Sequence, residues 1–511
     1  MSRAFIPAAA LPGTALSLCA ALSLCTAPAF GRTAFDGVWL FDGTPPTPGI
    51  TMMEVSSQGD RIEGQVTSQW YGPMKMIDPH VEDGRLVFDM RNINDREHPT
   101  RRWSVGLEGG KAHLQGQVWY TVIDSTGYRG TPGDAAKRAF AVAPLPEMGA
   151  PIPGKLAATP PMGWSSWNKF GEDIDDATVR AMADAMVSTG LRDAGYTYIN
   201  IDDGWQGKRD ASGMLHPNAK FPDMKALTAY VHARGLKIGI YSSQGPRTCA
   251  GYEGSYGHVE QDAQTFADWG FDYLKYDLCS GEWFYADADT VKRSYYQMGL
   301  ALQATGRDIV YSLCEYGRFA VGSWGRDVGG ELWRTTGDIT DDYDTMARIG
   351  FDHNGDPAHA GPHGWNDPDM LETGNGGMST EEYRTHMTLW AMSAAPLMMG
   401  HDLRKTTPET LALLTNPSII AVDQDPRGIQ GAAVRKQGAM EIWAKPLAGG
   451  RVALALFNRG GEAADMPLTA ADARLPSVSH VEDLWTGEKT AALPASYTVP
   501  AHGTVLVAVS R

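Results

Sequence analysis

The chain has 511 residues, 43% hydrophobic and 20% charged, the proportions of a soluble protein with a sizeable core and room for several domains. Its formal net charge of −16, with no local Lys/Arg cluster to offset it, argues against a nucleic-acid partner, because a polyanion would be repelled. A neutral sugar suits such a surface, and some of the 15 Trp could stack on one, although most of them serve the core.

The first thirty residues read as a removable signal peptide. Arg3 gives the positive start, an Ala/Leu/Cys-rich stretch runs from Ala8 to Leu24, and Ala27-Pro28-Ala29 supplies an A-x-A cleavage site. Cys19 and Cys25 each follow Leu, which argues against a lipoprotein anchor, and no other segment is apolar enough to span a bilayer. The expectation is a periplasmic or secreted protein with no membrane insertion after cleavage of residues 1–30. Cleavage leaves Cys249, Cys279 and Cys314, hence one disulfide and one thiol in an oxidising compartment, and spacing leaves the pairing open.

Residues 31–148 read as an all-β accessory domain, a sandwich or small barrel. Short alternating runs such as Arg85 to Met90 are separated by turn signals at Gly59, Gly84 and Gly109-Gly110, and the β pattern runs to about Val142. Nothing there carries a catalytic constellation. The Pro-rich stretch that includes 149–158 reads as a linker.

From 159 to 420 the grammar changes. Amphipathic helical segments end in Gly, and apolar strands follow at once after Gly195, Gly235, Gly270 and Gly306, at intervals of 40, 35 and 36 residues. Further strands are expected at Met162–Trp167, Leu332–Arg334, Gly364–Asn366 and Pro396–Met399, eight in all. Alternating helices and apolar strands imply a parallel sheet, and eight such units imply a (β/α)8 TIM barrel, fold class α/β. Residues 421–511 return to β and read as a C-terminal antiparallel β-sandwich.

Active sites of such barrels lie at the C-terminal ends of the strands. Those ends carry Trp164 and Trp167, Asp202-Asp203, Tyr241, Lys275 and Asp277, Cys314-Glu315-Tyr316, Arg334 and Asp338, Asp367 and Asp369. One Asp at a strand end is an ordinary turn residue, but carboxylates at so many of them are not. A retaining glycosidase needs two carboxyls about 5–5.5 Å apart, one ionised as nucleophile and one donating a proton. Lys275 precedes Asp277 by two residues and so shares its side of an extended strand, placing a cation beside the candidate nucleophile. Paired Asp202 and Asp203 suit vicinal sugar hydroxyls.

These residues sit in long motifs: TPPMGWSSWN at 159–168, INIDDGW at 199–205, GIYSSQGPRTCAG at 239–251, DAQTFADWGFDYLKYD at 262–277, GWNDPDML at 364–371 and AVDQDPRG at 421–428. Through them the chain resembles glycoside hydrolase family 27, the α-galactosidase and α-N-acetylgalactosaminidase family, from about Thr159 to Gly431. The resemblance implies Asp277 as nucleophile and Asp338 as acid/base. It implies sugar contacts from Trp167, Asp202, Asp203, Tyr241, Lys275, Tyr316, Arg334, Asp369 and Met370, and a Cys249–Cys279 disulfide. Cys314, by its position at a strand end, is expected as a pocket thiol, the alternative being a buried small hydrophobe. The implied activity is hydrolysis of terminal α-D-galactosyl residues with retention; the implied partner is an α-galactoside-containing carbohydrate. Neither cofactor nor metal is expected, and the oligomeric state is left open. One departure stands out, Tyr316 where many members have Trp; its bulk still favours galactose over N-acetylgalactosamine. The Asp202-Asp203 pair favours galactose over the L-arabinopyranose accepted by relatives with a larger acid there. Metal-assisted phosphoryl transfer is disfavoured, since no phosphate loop is present and Lys275 would compete with a cation. A non-catalytic carbohydrate-binding barrel is disfavoured because both carboxyls are present.

Overall fold

The computed structural model describes residues 33–41, 50–68, 72–91, 100–118, 121–138, 143–281, 285 and 287–511. The signal peptide expected over residues 1–30 lies outside the described residues. No helix among the described residues is long and apolar enough to cross a membrane.

The N-terminal domain is one antiparallel sheet of nine strands, from Gly37–Phe41 to Thr121–Gly130, with the first paired to the ninth. Its two edge strands, Gly72–Lys75 and Ile77–Glu82, are separated in the chain by Met76 alone. The two ends of the sheet therefore lie side by side, and the sheet curls around a single core that includes Trp39, Phe88, Trp103 and Leu114. The β pattern stops sooner than the sequence suggests. Pro132–Arg138 is a helix, started by Pro132 at its first position and by a 2.7 Å bond from Thr131 Oγ1 to Asp134 Oδ2.

The middle of the chain forms the expected eight parallel strands: β1 (Met162–Ser165), β2 (Tyr198–Asn200), β3 (Lys237–Ser243), β4 (Tyr273–Asp277), β5 (Val310–Cys314), β6 (Leu332–Arg334), β7 (Trp365–Asp367) and β8 (Leu397–Met399). Their order is β7-β6-β5-β4-β3-β2-β1-β8. The ring closes beyond the end of β7, where Leu371 bridges Met399 in parallel fashion and its N–H donates to Met398 O at 2.7 Å. Helices α1 (Asp176–Ser188), α2 (Met224–His232), α3 (Val259–Trp269), α4 (Ala288–Ala304) and α5 (Thr380–Ser393) follow strands β1, β2, β3, β4 and β7. Side-chain caps start α1, α2, α4 and α5: Asp175, Asp223, Asp287 and Ser379 accept from the backbone N–H of Thr178, Ala226, Thr290 and Glu382. Gly270 ends α3 at φ 97°, a left-handed turn that lets β4 begin three residues later.

Two boundaries differ from the sequence reading. The expected linker 149–158 is docked on the barrel: Ile152 pairs with Val328, and Lys155 and Leu156 N–H donate to Glu331 Oε1 at 3.2 and 2.6 Å. The β region expected from 421 begins instead at Ala432, because Pro417–Asp423 is a helix capped by Asn416 that buries Ile419 and Val422. Beyond it, six- and two-stranded antiparallel sheets form the C-terminal sandwich. Its strand Val452–Asn458 shows why it packs on the barrel. Leu454 and Leu456 enter the sandwich core, while Ala453, Ala455 and Phe457 on the other face join the barrel core.

Candidate active site

Eleven of the residues singled out in sequence converge at the C-terminal ends of the barrel strands. Trp167 follows β1, Asp202 and Asp203 follow β2, Tyr241 stands in β3, and Lys275 and Asp277 end β4. Tyr316 follows β5, Arg334 ends β6 with Asp338 beyond it, and Asp369 and Met370 follow β7. These residues and Cys249 line one pocket of about 340 Å³. Below it, space of about 470 Å³ continues into the barrel, sharing Asp202, Lys275, Arg334, Asp369 and Met370. A wider cleft of about 720 Å³ lies at the opposite end of the barrel, between Ile152, Arg307, Gly329 and Glu331. Those residues precede their strands instead of following them, so that cleft is set apart from the strand-end carboxylates.

Each charge in the pocket is held by a partner from another element. Lys275 Nζ donates to Asp202 Oδ2 at 2.9 Å. Arg334 Nη2 reaches Asp338 Oδ1 at 3.0 Å and Asp369 Oδ2 at 3.2 Å. Asp369 Oδ2 also accepts the Ile339 N–H at 2.9 Å. Asp203 Oδ2 accepts the Ala250 N–H at 2.8 Å, and its Oδ1 accepts that of Gly204 at 2.9 Å. On Asp277, Oδ1 accepts from Leu278 N at 2.7 Å, Cys279 N at 3.3 Å and the Tyr316 hydroxyl at 2.7 Å. Cys249 and Cys279 are disulfide-bonded, with their Cα atoms 5.2 Å apart, and the Tyr241 hydroxyl donates to Cys249 Sγ at 3.2 Å.

Burial and these partners set the protonation of the carboxyls. Burial raises Asp277 above the usual carboxylate value, with the Lys275 charge and then the Tyr316 hydroxyl working against it. Asp338 moves the other way. The surrounding protein raises it, but the charges of Arg334 and Lys275 and the Arg334 hydrogen bond outweigh that and leave it lowered. Burial pushes Asp203 up to about 7 and Asp367 up to about 6. Burial opposes the Lys275 charge, yet Asp202 beside it more than compensates and keeps the amine protonated.

A family model described as Alpha galactosidase A matches residues 159–425, more than half of the chain. The chain belongs to the α-galactosidase family, glycoside hydrolase family 27. A second model, the α-galactosidase C-terminal β-sandwich domain, matches residues 437–509. Among curated relatives, the α-galactosidase of Cyamopsis tetragonoloba is 48% identical over 336 residues, 65% of this chain and 80% of that protein. The crystal structure of α-galactosidase I from Mortierella vinacea is similar with a TM-score of 0.67 and 35% identity, covering 70% of this chain and 98% of that one. A Bacteroides fragilis structure covers 93% of this chain and 91% of its own at TM-score 0.66 and 32% identity, so the likeness reaches into the N-terminal domain.

Within this family member, one expected pocket residue is a buried neighbour of the candidate nucleophile. Cys314 is a free, buried thiol outside the pocket lining, opposite Asp277 in the β4–β5 register, with Arg334 Nη1 3.7 Å from its sulfur. As the last residue of β5 it supports the wall, and Tyr316, two residues on, supplies the pocket surface. Sequence reasoning passed over Asn168, which lines the pocket and donates to Glu372, and the Ala250 N–H that holds Asp203. Both lie inside motifs already quoted, WSSWN and TCAG, so the signal was present but attached to their neighbours.

Proposed function

We propose that the protein is a retaining exo-α-galactosidase that cleaves terminal α-D-galactosyl residues through a covalent glycosyl-enzyme, with Asp277 as nucleophile and Asp338 as acid/base. The observation that carries the reading is the shared pocket: two carboxyls from β4 and the β6 loop face one space, and each has its own cation, Lys275 or Arg334. Lys275 works against the burial that would protonate Asp277, as a nucleophile requires.

Asp338 is poised to change state. Its side chain is 60% exposed in the open pocket. A sugar seated there displaces that water, and desolvation raises the carboxyl toward the proton affinity of a general acid. Asp338 then protonates the glycosidic oxygen while Asp277 attacks the anomeric carbon. Water, deprotonated by Asp338, releases the sugar in the second step.

Trp167 offers an aromatic wall, while Asp202, Asp203 and Lys275 offer charged partners for hydroxyls. The bulk of Tyr316 supports galactose over its 2-acetamido analogue. The disulfide suits an oxidising compartment, which agrees with export by the signal peptide. The test is nitrophenol release from the α-galactoside, the α-N-acetylgalactosaminide and the β-L-arabinopyranoside, with Asp277→Asn as the blank. Dominant turnover of the galactoside, abolished in the variant, is expected. Preference for either other sugar would move the error to the walls at Tyr316 or Asp203.

A further inference from the structure

We propose that Tyr316 is a positioning residue for the nucleophile: its hydroxyl selects which oxygen of Asp277 attacks and stabilises that carboxylate when it departs. The inference rests on the reading of Asp277 as nucleophile and goes beyond the wall-forming role given to Tyr316 above.

Three donors converge on one atom of the nucleophile. Oδ1 of Asp277 accepts the Leu278 and Cys279 N–H groups and the Tyr316 hydroxyl. Charge on an oxygen that accepts three hydrogen bonds is strongly stabilised, which makes that oxygen the poorer nucleophile. Oδ2 is therefore the atom that bonds to the anomeric carbon, and Oδ1 is the atom that holds the charge before and after.

The hydroxyl is aimed by its surroundings. Tyr316 Oη lies 3.5 Å from Cys249 Sγ and 3.4 Å from Cys279 Sγ, so the disulfide packs against it. A disulfide sulfur has no proton to give, and the hydroxyl proton goes to the carboxylate at 2.7 Å. The backbone beneath is committed to this aim. Tyr316 has φ 63° and Gly317 φ 71°, a left-handed pair that is costly for an aromatic residue. A Cβ on Gly317 would sit 1.9 Å from Thr335 O, so the chain passes there only as glycine. Fully buried Glu315 fastens the turn by accepting the Gly317 N–H at 3.1 Å. Relatives with an indole at this position have no hydroxyl to offer, so the device belongs to the tyrosine.

The chemical consequence differs between the two steps. In the first, the bond from C1 to the aglycone oxygen breaks as C1–Oδ2 forms, and Asp338 supplies the proton to the departing oxygen. In the second, water attacks C1 and gives its proton to Asp338, while the C1–Oδ2 electron pair returns to Asp277. The carboxylate is the leaving group of that second step, and the Tyr316 hydrogen bond lowers its energy there. The groups facing Asp277 from the elements around it are Lys275, Cys314, Asp338, Tyr241 and Tyr295. All of them remain when the hydroxyl alone is removed.

The experiment compares wild type, Tyr316→Phe and Tyr316→Trp on 2,4-dinitrophenyl and methyl α-galactosides, with Asp277→Asn alongside. With the dinitrophenyl substrate, whose leaving group departs without a proton, hydrolysis of the glycosyl-enzyme is expected to limit turnover. Loss of one hydrogen bond to a charge is expected to lower kcat roughly tenfold and KM with it, leaving a burst of dinitrophenol. The acidic limb of kcat/KM is expected to rise by about one pH unit, since the ionised nucleophile has lost a donor. Tyr316→Trp, which keeps the bulk, is expected to move both quantities the same way. An unmoved acidic limb with kcat within about twofold of wild type, or a rise in KM alone, overturns the proposal. Activity surviving in Asp277→Asn would instead overturn the reading of the nucleophile.

Discussion

Arg334 and Asp369 form an ion pair at 3.2 Å in which the two side chains are only 2% and 6% exposed, and the same guanidinium nitrogen donates to Asp338. One cation thus serves a buried carboxylate and the proposed proton donor. Removing one partner of a buried pair leaves a charge unpaired, at a cost of about 3–5 kcal/mol where nothing compensates. Arg334→Met is therefore expected to lower the denaturant midpoint of unfolding.

The same variant tests how Asp338 is tuned. Arg334 holds Asp338 low, and a general acid loses activity as pH rises through its own pKa. Without the cation that pKa rises, so the basic limb of kcat/KM is expected to move to higher pH even as the overall rate falls. A profile that keeps its basic limb would show that Arg334 does not set the proton affinity of Asp338.

Asp338→Asn separates the two catalytic steps. A dinitrophenolate departs without a proton, whereas methoxide needs one. The variant is expected to lose on the order of 10²–10⁴-fold with the methyl galactoside and far less in glycosylation by the dinitrophenyl galactoside. Equal losses on both substrates would remove Asp338 from the role of acid.

The disulfide joins loops that leave β3 and β4, its cysteines standing 30 positions apart in sequence. Closing a loop of that size contributes about 3–4 kcal/mol in the chain-entropy account. Here it also packs on the Tyr316 hydroxyl. Cys249→Ala with Cys279→Ala is expected to lower the melting temperature and to weaken galactoside turnover. Full activity at a temperature where the variant stays folded would limit the bridge to stability. Buried Cys314 is no substitute partner, being held against Arg334.

What the sequence made legible follows from the physics of each element. The barrel strands were readable because strands buried on both faces are near-continuously apolar, and because glycines such as Gly270 mark where helices stop. The pocket was readable because barrel chemistry gathers where those apolar runs end. The closure of the N-terminal sheet was not, since pairing Val38 with Gly130 depends on contacts remote in sequence. Nor was the placement of Cys314, which depends on the orientation of one side chain at the very end of β5. The helix Pro417–Asp423 was signalled by Asn416-Pro417, a cap followed by proline at the first turn, but an apolar run of that length also fits a strand.

The buried carboxyls together make stability depend on pH in a direction that can be worked out. Burial raises Asp203 from an ordinary 3.8 to about 7, Asp367 to about 6, and Glu372 from 4.5 to about 7. Burial also raises Asp423, against the opposing charge of Lys445. A carboxyl whose proton is held more tightly folded than unfolded stabilises the fold at low pH, and that contribution is lost as pH rises through the folded value. Carboxyls held low by partners, such as Asp352 by Arg459 and Asp402 by Arg404, act oppositely, but only below about pH 4, where their unfolded forms take up protons. Between about pH 4.5 and 7.5 the raised group dominates, and the melting temperature is expected to fall steadily across that window. Asp367→Asn, which removes one titrating group from beneath the pocket, is expected to flatten the slope over the lower half of the window. A melting temperature that instead climbed from pH 5 to pH 7.5 would mean that these carboxyls are ionised in the folded protein, and that the charges of Lys275, Arg334 and Lys445 outweigh burial.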